Sequence, residues 1–253
     1  MAYLYGEEKT EREIVEFVKN YIATDCNKGS RFNVNMSLIS GKCNYILDYG
    51  CGWGQYAIAL RNRGNRVYGV DLSQNAIDIC NIVWGKGERI TFACKTIKEF
   101  DDKTFDVILS SQVIEHVHNV GNYLSEINRV LKLNGQLVIS LPNIMNPRFF
   151  LIQFAKDLEK NLKKINAETL ENYTKGSDHI NAWDPSHFVR LLSTAGFLLE
   201  RYIPSEGIPF PFKKPFKPYV RNWVSRLNRI KNLSYTMHFS CKKVKDVHID
   251  TYE

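Results

Sequence analysis

The stretch 45–59, which reads YILDYGCGWGQYAIA, constrains the fold of this chain more than any other part of the sequence. An apolar run reaches Asp48, glycines alternate at Gly50, Gly52 and Gly54, and an apolar helical pattern follows. A buried strand, a tight glycine turn and a helix start are typical of a doubly wound α/β domain that binds a nucleotide-like cofactor. The glycine loop alone does not identify that cofactor.

The glycine spacing and a neighbouring charge argue against a dinucleotide. The dinucleotide fingerprint is G-x-G-x-x-G, whereas here Gly54 comes one residue early and Gln55 stands in the third glycine position. The carboxylate of Asp48 would repel a pyrophosphate and attract an ammonium group. Asp71 ends a second apolar run about 20 residues beyond the glycines, where a carboxylate can bind both ribose hydroxyls. These residues predict a ligand with a ribose and an amino group.

Four successive segments resemble a known family: ILDYGCGWG, VYGVDLS, FDVILSSQVIEHV and LKLNGQLVISLPN. They are similar to the motifs of class I S-adenosylmethionine-dependent methyltransferases, and most similar to the type-11 and ubiquinone-methyltransferase-like branch. The resemblance covers residues 43–143 and is only architectural elsewhere. It implies a Rossmann-like, doubly wound seven-stranded sheet with an antiparallel last strand, helical lid insertions, and S-adenosylmethionine as the cofactor.

Length and composition predict one domain. The chain has 253 residues, of which 44% are hydrophobic and 24% charged, which suits a single large α/β domain with insertions. Residues 7–22 carry apolar side chains at helical spacing and predict an amphipathic helix. We expect an N-terminal helical cap (1–43), a cofactor-binding core (44–143), a lid insertion (144–182), a second core segment (183–203), a basic insertion (204–232), and a last strand with a tail (233–253).

The sequence also favours a cytoplasmic bacterial protein. Its start, MAYLYGEEKTERE, is acidic where a signal peptide would be basic and then apolar, and no apolar run approaches membrane-spanning length. The six cysteines lack CxxC or metal-finger spacing, so reduced thiols are expected rather than disulfides. Richness in Lys, Asn and Ile fits an AT-rich bacterial genome.

The resemblance implies a set of cofactor-binding residues at the carboxyl ends of the strands. The family commonly has an acidic residue after its third strand, bonded to the adenine amino group, but this chain has Cys94, Lys95 and Thr96 there. Adenine would then depend on backbone groups around Lys95 to Ile97 and on apolar stacking. The expected cofactor-binding residues are Asp48, Gly50, Cys51, Gly52, Gly54, Asp71, Leu72, Lys95, Thr96, Ile97, Ser110 and Gln112.

Candidate catalytic residues follow from the chemistry of methyl transfer. A hydroxyl acceptor must lose its proton, which favours a histidine base, whereas a neutral amine needs none. Many relatives have a pair like Glu115 and His116 at the end of the fourth strand, and His179 resembles a histidine that precedes a helix in type-11 relatives. Asp178 and His179 could orient or deprotonate the acceptor. A purely structural role stays open for each histidine.

Three other histidines are expected to have no chemical role. His187 falls inside an amphipathic helical pattern and is predicted to pack, while His118 and His238 are predicted at surface or strand positions.

No metal is expected. Ubiquinone-type relatives have Glu-x-x-Glu-His at the end of the fourth strand, whereas this chain has Gln112 in place of the first glutamate. Glu115, His116 and Asp178 would then form an incomplete set, since catalytic metal sites usually need three protein ligands.

The charge of the chain does not identify the acceptor of the methyl group. The net charge is +7, and the segment PFPFKKPFKPYVRNWVSRLNRIKN mixes basic and aromatic residues. Such a mixture suits a phosphate-bearing acceptor, a nucleic-acid backbone or an anionic membrane surface, and equally a cover helix with a solvated basic side. No RNA-binding motif is present, so nucleic acid is not expected.

We expect methyl transfer to a hydroxyl of a small polar acceptor: a sugar, a phosphorylated metabolite or a surface-polysaccharide precursor. The alternatives are a small amine, RNA, or a scaffold without catalysis.

Overall fold

The computed structural model describes residues 2–4, 7–28, 30–85, 87–146, 179–206 and 233–247. Two predicted segments lie outside the described residues. They are 147–178 of the lid, which includes Asp178, and 207–232 of the basic insertion. No described helix is long and apolar enough to cross a membrane.

Seven strands form one mixed sheet. They are β3 (Tyr45–Tyr49), β4 (Arg66–Asp71), β5 (Ile90–Cys94), β6 (Phe105–Ser111), β7 (Leu131–Pro142), β8 (Phe197–Ser205) and β9 (Thr236–Lys243). The order across the sheet is β5–β4–β3–β6–β7–β9–β8. β3 to β7 pair in parallel, and β9 lies antiparallel between β7 and β8. The predicted Rossmann-like seven-stranded sheet with an antiparallel last strand is confirmed.

Helices cover both faces of the sheet, as a largely parallel sheet requires. They are α1 (Glu11–Lys28), α2 (Ser30–Leu38), α3 (Gln55–Asn62), α4 (Gln74–Trp84), α5 (Val120–Val130) and α6 (Pro185–Thr194). One core contains Phe105, Ile108, Leu124, Phe188 and Phe239, under α5 and α6. The other contains Met36, Ile46, Leu60, Ile77 and Val138, under α2, α3 and α4.

The N-terminus differs from the predicted helix over 7–22. A short hairpin comes first, in which β1 (Ala2–Leu4) pairs antiparallel with β2 (Glu7–Lys9). Helix α1 begins only at Glu11 because Thr10 and Glu13 form a capping box. The Thr10 backbone N–H donates to Glu13 Oε2 at 2.8 Å, and the Glu13 N–H donates to Thr10 Oγ1 at 3.4 Å. Helix α2 was not predicted.

A buried polar network fixes α2 to the sheet. Asn35 Oδ1 lies 2.7 Å from His238 Nδ1 in β9, and His238 Nε2 lies 2.7 Å from the Ser205 hydroxyl in β8. Burial lowers the pKa of His238 to about 3, so the ring is neutral and donates through Nδ1 to Asn35. The Asn35 amide nitrogen, with two N–H donors, lies 3.1 Å from the hydroxyl oxygens of Tyr56, Ser111 and Ser140. The network therefore holds α2 beside the carboxyl ends of β6 and β7.

Candidate cofactor and methyl-transfer site

The glycine loop joins β3 to α3, where the strand order reverses and open α/β sheets bind ligands. Gly50, Gly52 and Gly54 have φ values of +78°, +52° and +80°, a region that favours glycine. A Cβ atom on Gly50 would lie 2.4 Å from Val113 Cγ2, and one on Gly54 would lie 2.9 Å from Phe92 Cζ. No described atom lies within 4 Å of a Cβ built on Gly52. The loop is therefore packed at both ends and open in the middle.

Asp48 is a buried carboxylate beneath this loop. One oxygen accepts the Ala57 backbone N–H, and Oδ2 has no hydrogen-bond partner among the described residues. Burial raises the pKa of Asp48 to about 7; the Ala57 N–H opposes this shift, and the charge of Asp71 adds to it. The site therefore contains an acceptor atom that a cationic ligand group would satisfy.

Asp71 accepts hydrogen bonds that fix the glycine loop, and its carboxylate oxygens can accept further ones. Its Oδ2 accepts the Gly52 N–H at 3.0 Å, and its Oδ1 accepts the Ser73 N–H at 2.9 Å. Each carboxylate oxygen can accept a second hydrogen bond. The half-buried Asp71 can therefore bind ribose hydroxyls while it fixes the glycine loop.

The next strand end offers an apolar surface and a thiol. Leu72 is 73% exposed, directly after Asp71. Cys94, at the end of β5, is also exposed, and its Sγ lies 3.5 Å from the Leu72 carbonyl oxygen. A planar base that stacks on Leu72 would cover Cys94.

The segment after β5 presents polar groups at the same edge. The Thr96 backbone N–H donates to Glu99 Oε1 at 2.9 Å, and Lys95 Nζ lies 3.6 Å from Glu99 Oε2. Ile97 is buried, so only its backbone can face a ligand. Glu99 was not predicted as part of the site, although its T-x-x-E spacing from Thr96 is the sequence pattern of a capping box.

Cys51 and Ser110 point their side chains into the protein. Cys51 is 2% exposed and belongs to the core under α3 and α4, so only its backbone can contact the cofactor. The Ser110 hydroxyl lies 2.5 Å from the Tyr123 hydroxyl in the opposite core. Gln112 has a left-handed backbone with φ +59°, its N–H donates to the Ser140 carbonyl at 2.8 Å, and its Nε2 is buried with no partner among the described residues.

Helix α1 packs against the glycine loop through Trp53, an aromatic contact that was not predicted within the expected N-terminal helical cap. The Trp53 ring packs edge-on against Phe17 and Tyr21, with centroids 5.8 Å and 5.1 Å apart. The Trp84 indole N–H donates to the Trp53 carbonyl at 2.8 Å. The loop is thus fixed from α1 and α4 as well as from the sheet.

The structure brings His116 and His179 together. Their ring centroids lie 4.8 Å apart with the planes at 73°. The backbone N–H groups of Ile180 and Asn181 donate to the Glu115 carbonyl at 2.9 Å and 3.1 Å, which holds His179 beside the end of β6. One ligand atom each from Glu115, His116 and His179 lies within 4.8 Å of the other two. Two histidines and a carboxylate that are close together can exchange a proton with a bound hydroxyl.

The same three side chains could also hold a metal ion. Two imidazole nitrogens and one carboxylate oxygen are a set that zinc and non-haem iron accept. The prediction that no metal binds stays a prediction.

The packing role predicted for His187 is wrong. Its side chain is 70% exposed, and its Nδ1 contacts the Asp184 carboxylate. Asp184 caps α6 by accepting the N–H groups of Ser186 and His187, which places His187 on the outside of the first turn. His118 is exposed and His238 lies in β9, as predicted.

Known proteins are similar in sequence to the part of the chain that contains the glycine loop. Residues 47–139 match the family model of the methyltransferase domain. Over 120 residues the chain is 35% identical to the ubiquinone biosynthesis O-methyltransferase of Bradyrhizobium diazoefficiens, a match that covers 47% of each chain. Residues 47–139 are thus a methyltransferase domain of the type-11 branch. The methyltransferase match spans about half the length of the curated relatives.

Solved structures share the fold over most of the chain. A chain of the complex between the Haloferax volcanii Trm112 methyltransferase activator and a methyltransferase has a TM-score of 0.61 at 16% identity, and the match covers 93% of this chain and 100% of that one. The Burkholderia thailandensis 1,6-didemethyltoxoflavin-N1-methyltransferase, with bound S-adenosylhomocysteine, has a TM-score of 0.55 at 16% identity. The match covers 96% of this chain and 94% of that one. These low identities show the methyltransferase fold alone.

The cofactor of this class is S-adenosylmethionine, and the residues present fit it. The unsatisfied Oδ2 of Asp48 would accept a hydrogen bond from the ammonium group, and Asp71 would accept from the ribose hydroxyls. The open space at Gly52 lets the ligand approach the backbone. Bound there, the cofactor supplies a methyl group on a sulfonium.

Alkylation of Cys94 should report where adenine binds in this methyltransferase domain. We expect S-adenosylhomocysteine to slow labelling of Cys94 by iodoacetamide about tenfold at a ligand concentration of about ten times Kd, because the bound fraction is shielded. Cys43 is also exposed but precedes β3 at the opposite edge of the sheet, so it is the internal control. Peptide mass spectrometry measures both rates. Equal labelling of Cys94 with and without ligand would show that adenine lies elsewhere.

The pKa of Asp48 predicts pH-dependent stability of the ligand-free protein. Its folded-state pKa, about 7, is above its ordinary value of 3.8, so the stability it contributes is complete at low pH and is lost as the pH rises through about 7. Between about pH 5 and pH 8 we expect Asp48→Asn to gain about 2–3 kcal/mol relative to the wild type. Urea unfolding of both proteins at the two pH values measures this. A constant difference would contradict the raised pKa.

Proposed function

We propose that this protein transfers the methyl group of S-adenosylmethionine to a hydroxyl oxygen of a small polar acceptor. The observation that carries the proposal is the contact between His116 and His179 beside buried Glu115, at the strand end next to the glycine loop. A site for a neutral amine would need no base, whereas a hydroxyl acceptor needs one.

The residues of the chain have separate tasks in this mechanism. Asp48, Asp71 and the glycine loop bind and orient the cofactor. One imidazole of the pair takes the acceptor's proton, and the other orients the acceptor through a ring N–H. The carboxylate of Glu115 stabilises the imidazolium that forms, because opposite charges attract strongly in a buried site. Correct placement of acceptor and methyl group supplies much of the remaining rate gain.

The nature of the acceptor is the finer part of the proposal. The net charge of +7 and the basic sequence at 213–229 favour an anionic acceptor, and we propose a sugar, a phosphorylated metabolite or a precursor of a surface polysaccharide. The relatives named as ubiquinone biosynthesis O-methyltransferases support oxygen as the methylated atom. A small amine is the alternative acceptor.

The test begins with binding and continues with turnover. Calorimetry should show that S-adenosylhomocysteine binds, and radiolabelled S-adenosylmethionine should then transfer its methyl group to a member of a panel of sugars, nucleotide sugars and phosphorylated metabolites. Transfer only to amines would show that the methylated atom is nitrogen and not a hydroxyl oxygen. Binding without transfer to any hydroxyl or amine would favour a scaffold, and no binding would overturn the proposal.

A further inference from the structure

Arg31, in the first turn of α2, has a guanidinium group that no described residue saturates. The side chain is 36% exposed, and its Nε lies 3.5 Å from Glu206 Oε1. Within the described part of the chain this ion pair is its only polar contact, and the side chain makes no hydrogen bond there. An arginine has five N–H donors in a planar fork, so the donors of Arg31 are available to a ligand.

This guanidinium lies at the edge of the sheet where the histidine pair is. β8 runs in the same direction as β7, because both strands pair antiparallel with β9. Pro142, at the end of β7, and Ser205, at the end of β8, both pair with Thr236, so the two ends are level. Glu206 follows β8 directly and contacts Arg31. Arg31 therefore lies just beyond the carboxyl ends of these strands.

The segment from His179 to Trp183 borders the same strand ends. It is bonded to the turn after β6, and the Trp183 carbonyl accepts the N–H of Ile144, just beyond β7, at 3.1 Å. Trp183 packs on the core under α5 and α6, whereas α2 packs on the opposite core. The carboxyl ends of β6 and β7 are therefore flanked by the segment that carries His179 on one side and by Arg31 on the other. An acceptor that lies over these ends can contact both.

Glu206 is fixed in place and orients the guanidinium. Its backbone has φ +55°, a left-handed conformation that is uncommon for a residue with a side chain and is often found at ligand-binding sites. Its carbonyl accepts the Tyr235 N–H at 2.7 Å, and its Oε2 accepts the Thr236 hydroxyl at 2.6 Å. The other carboxylate oxygen contacts Nε of Arg31, so the two terminal nitrogens of the guanidinium keep their hydrogens for a ligand.

We propose that Arg31 binds an oxyanion of the acceptor, a phosphate or a carboxylate, while the histidine pair takes the proton of the hydroxyl. The planar guanidinium can donate two parallel hydrogen bonds to such a group, an arrangement that is selective as well as strong. The inference rests on the proposed function, because it places the acceptor at the histidine pair. It assigns the preference for an anionic acceptor to one described side chain, whereas the net charge concerns the whole chain.

Acceptors with and without an oxyanion test this assignment. Radiolabelled methyl transfer would compare phosphorylated sugars and sugar acids with their uncharged counterparts, for example glucose 6-phosphate and glucuronate with glucose. We expect the oxyanion-bearing member of each accepted pair to have the higher kcat/KM, and the better of the phosphate and carboxylate series identifies the oxyanion. Arg31→Met should raise KM for that member roughly 10- to 100-fold, the usual effect of losing hydrogen bonds to a charged group, and should leave kcat within about twofold. Calorimetry should show an unchanged affinity for S-adenosylhomocysteine.

Three further variants sharpen the test. Glu206→Gln removes the competing carboxylate with almost no change in shape, so it should lower KM for the oxyanion-bearing acceptor by about two- to fivefold, which corresponds to the usual energy of an exposed ion pair. Arg31→Lys keeps the charge but loses the planar fork, and should raise KM less than Arg31→Met does. Arg66→Met is the matched control. Arg66 is exposed and stacks on Tyr45 at the amino end of β4, at the opposite edge of the sheet, so its loss should leave KM unchanged.

The outcomes separate this inference from the proposed function. Wild-type protein that transfers no methyl group to any member of the panel would overturn both. Wild-type protein that prefers the uncharged members would overturn the inference alone. The same conclusion would follow if Arg31→Met left KM unchanged, or raised it equally for charged and uncharged acceptors, since the damage would not then depend on the oxyanion. A parallel rise of KM in Arg31→Met and Glu206→Gln would also overturn it, because the two residues would then form only a structural ion pair. If Arg31→Met does not fold, Arg31→Lys is used for the same comparisons.

Discussion

Replacing Gly50 with alanine is expected to abolish useful cofactor binding, with an affinity loss of roughly 100-fold or more. The added Cβ would lie 2.4 Å from Val113 Cγ2, and a residue with a side chain is strained at φ +78°. The loop must therefore move away from the place where Asp48 and the Gly52 backbone face the ligand. Calorimetry with S-adenosylhomocysteine measures the loss.

Gly64→Ala provides the matched control for the strain alone. Gly64 has φ +92°, and a Cβ there would meet no described atom within 4 Å. It precedes β4 at the end of the sheet away from the cofactor. We expect a stability loss of about 1 kcal/mol and an unchanged affinity. Similar affinity losses in the two variants would show that steric packing at Gly50 is not what matters.

His116→Ala and His179→Ala are each expected to lower kcat by about 10²–10⁴-fold, the usual contribution of a positioned general base or its partner. Affinity for S-adenosylhomocysteine should not change, because neither ring is assigned to the cofactor. The two variants combined should lose little more than the worse one alone if the pair acts as a unit. Radiolabelled methyl transfer to the accepted substrate measures all three.

His187→Ala is the control for these variants. His187 is exposed and contacts Asp184 at the start of α6, so its removal should leave kcat within about twofold of the wild type, since surface changes away from the site have small effects. Full activity of both His116→Ala and His179→Ala would show that the acceptor needs no base. An amine acceptor would then become the better proposal.

The sheet could be predicted from the sequence because most of its strands are separate apolar runs between turn residues. The length of a strand is harder to predict where its pairing is irregular. β7 begins at Leu131, before the turn residues Asn134 and Gly135, because Phe105 pairs with Leu131 while Val107 pairs with Gln136. The residues between them form a bulge, with Asn134 at φ +65°. No periodicity in the sequence indicates such a bulge.

The glycine loop, Asp48 and Asp71 could be predicted because the residues around them belong to two short sequence motifs, ILDYGCGWG and VYGVDLS. The unpaired atom on Gln112 could not, since it depends on the turn that follows β6 and on Ser140 in another strand. The network around Asn35 could not be predicted either. Asn35 bonds to His238, which lies 203 residues away along the chain. Sequence patterns describe local periodicity, whereas these contacts depend on the complete tertiary fold.

The position of β9 between β7 and β8 has a consequence for how the protein matures. β8 is synthesised first, but β9 is its only partner among the described strands. His238, which secures α2 from the far end of the chain, arrives with that same strand. Contacts between such distant segments close slowly, because the entropy of large loops must be overcome first. Until β9 has been synthesised, α2 therefore lacks its hydrogen bond to His238, and β8 lacks its partner strand. The fold beside the glycine loop can be completed only after the chain has been made up to residue 243.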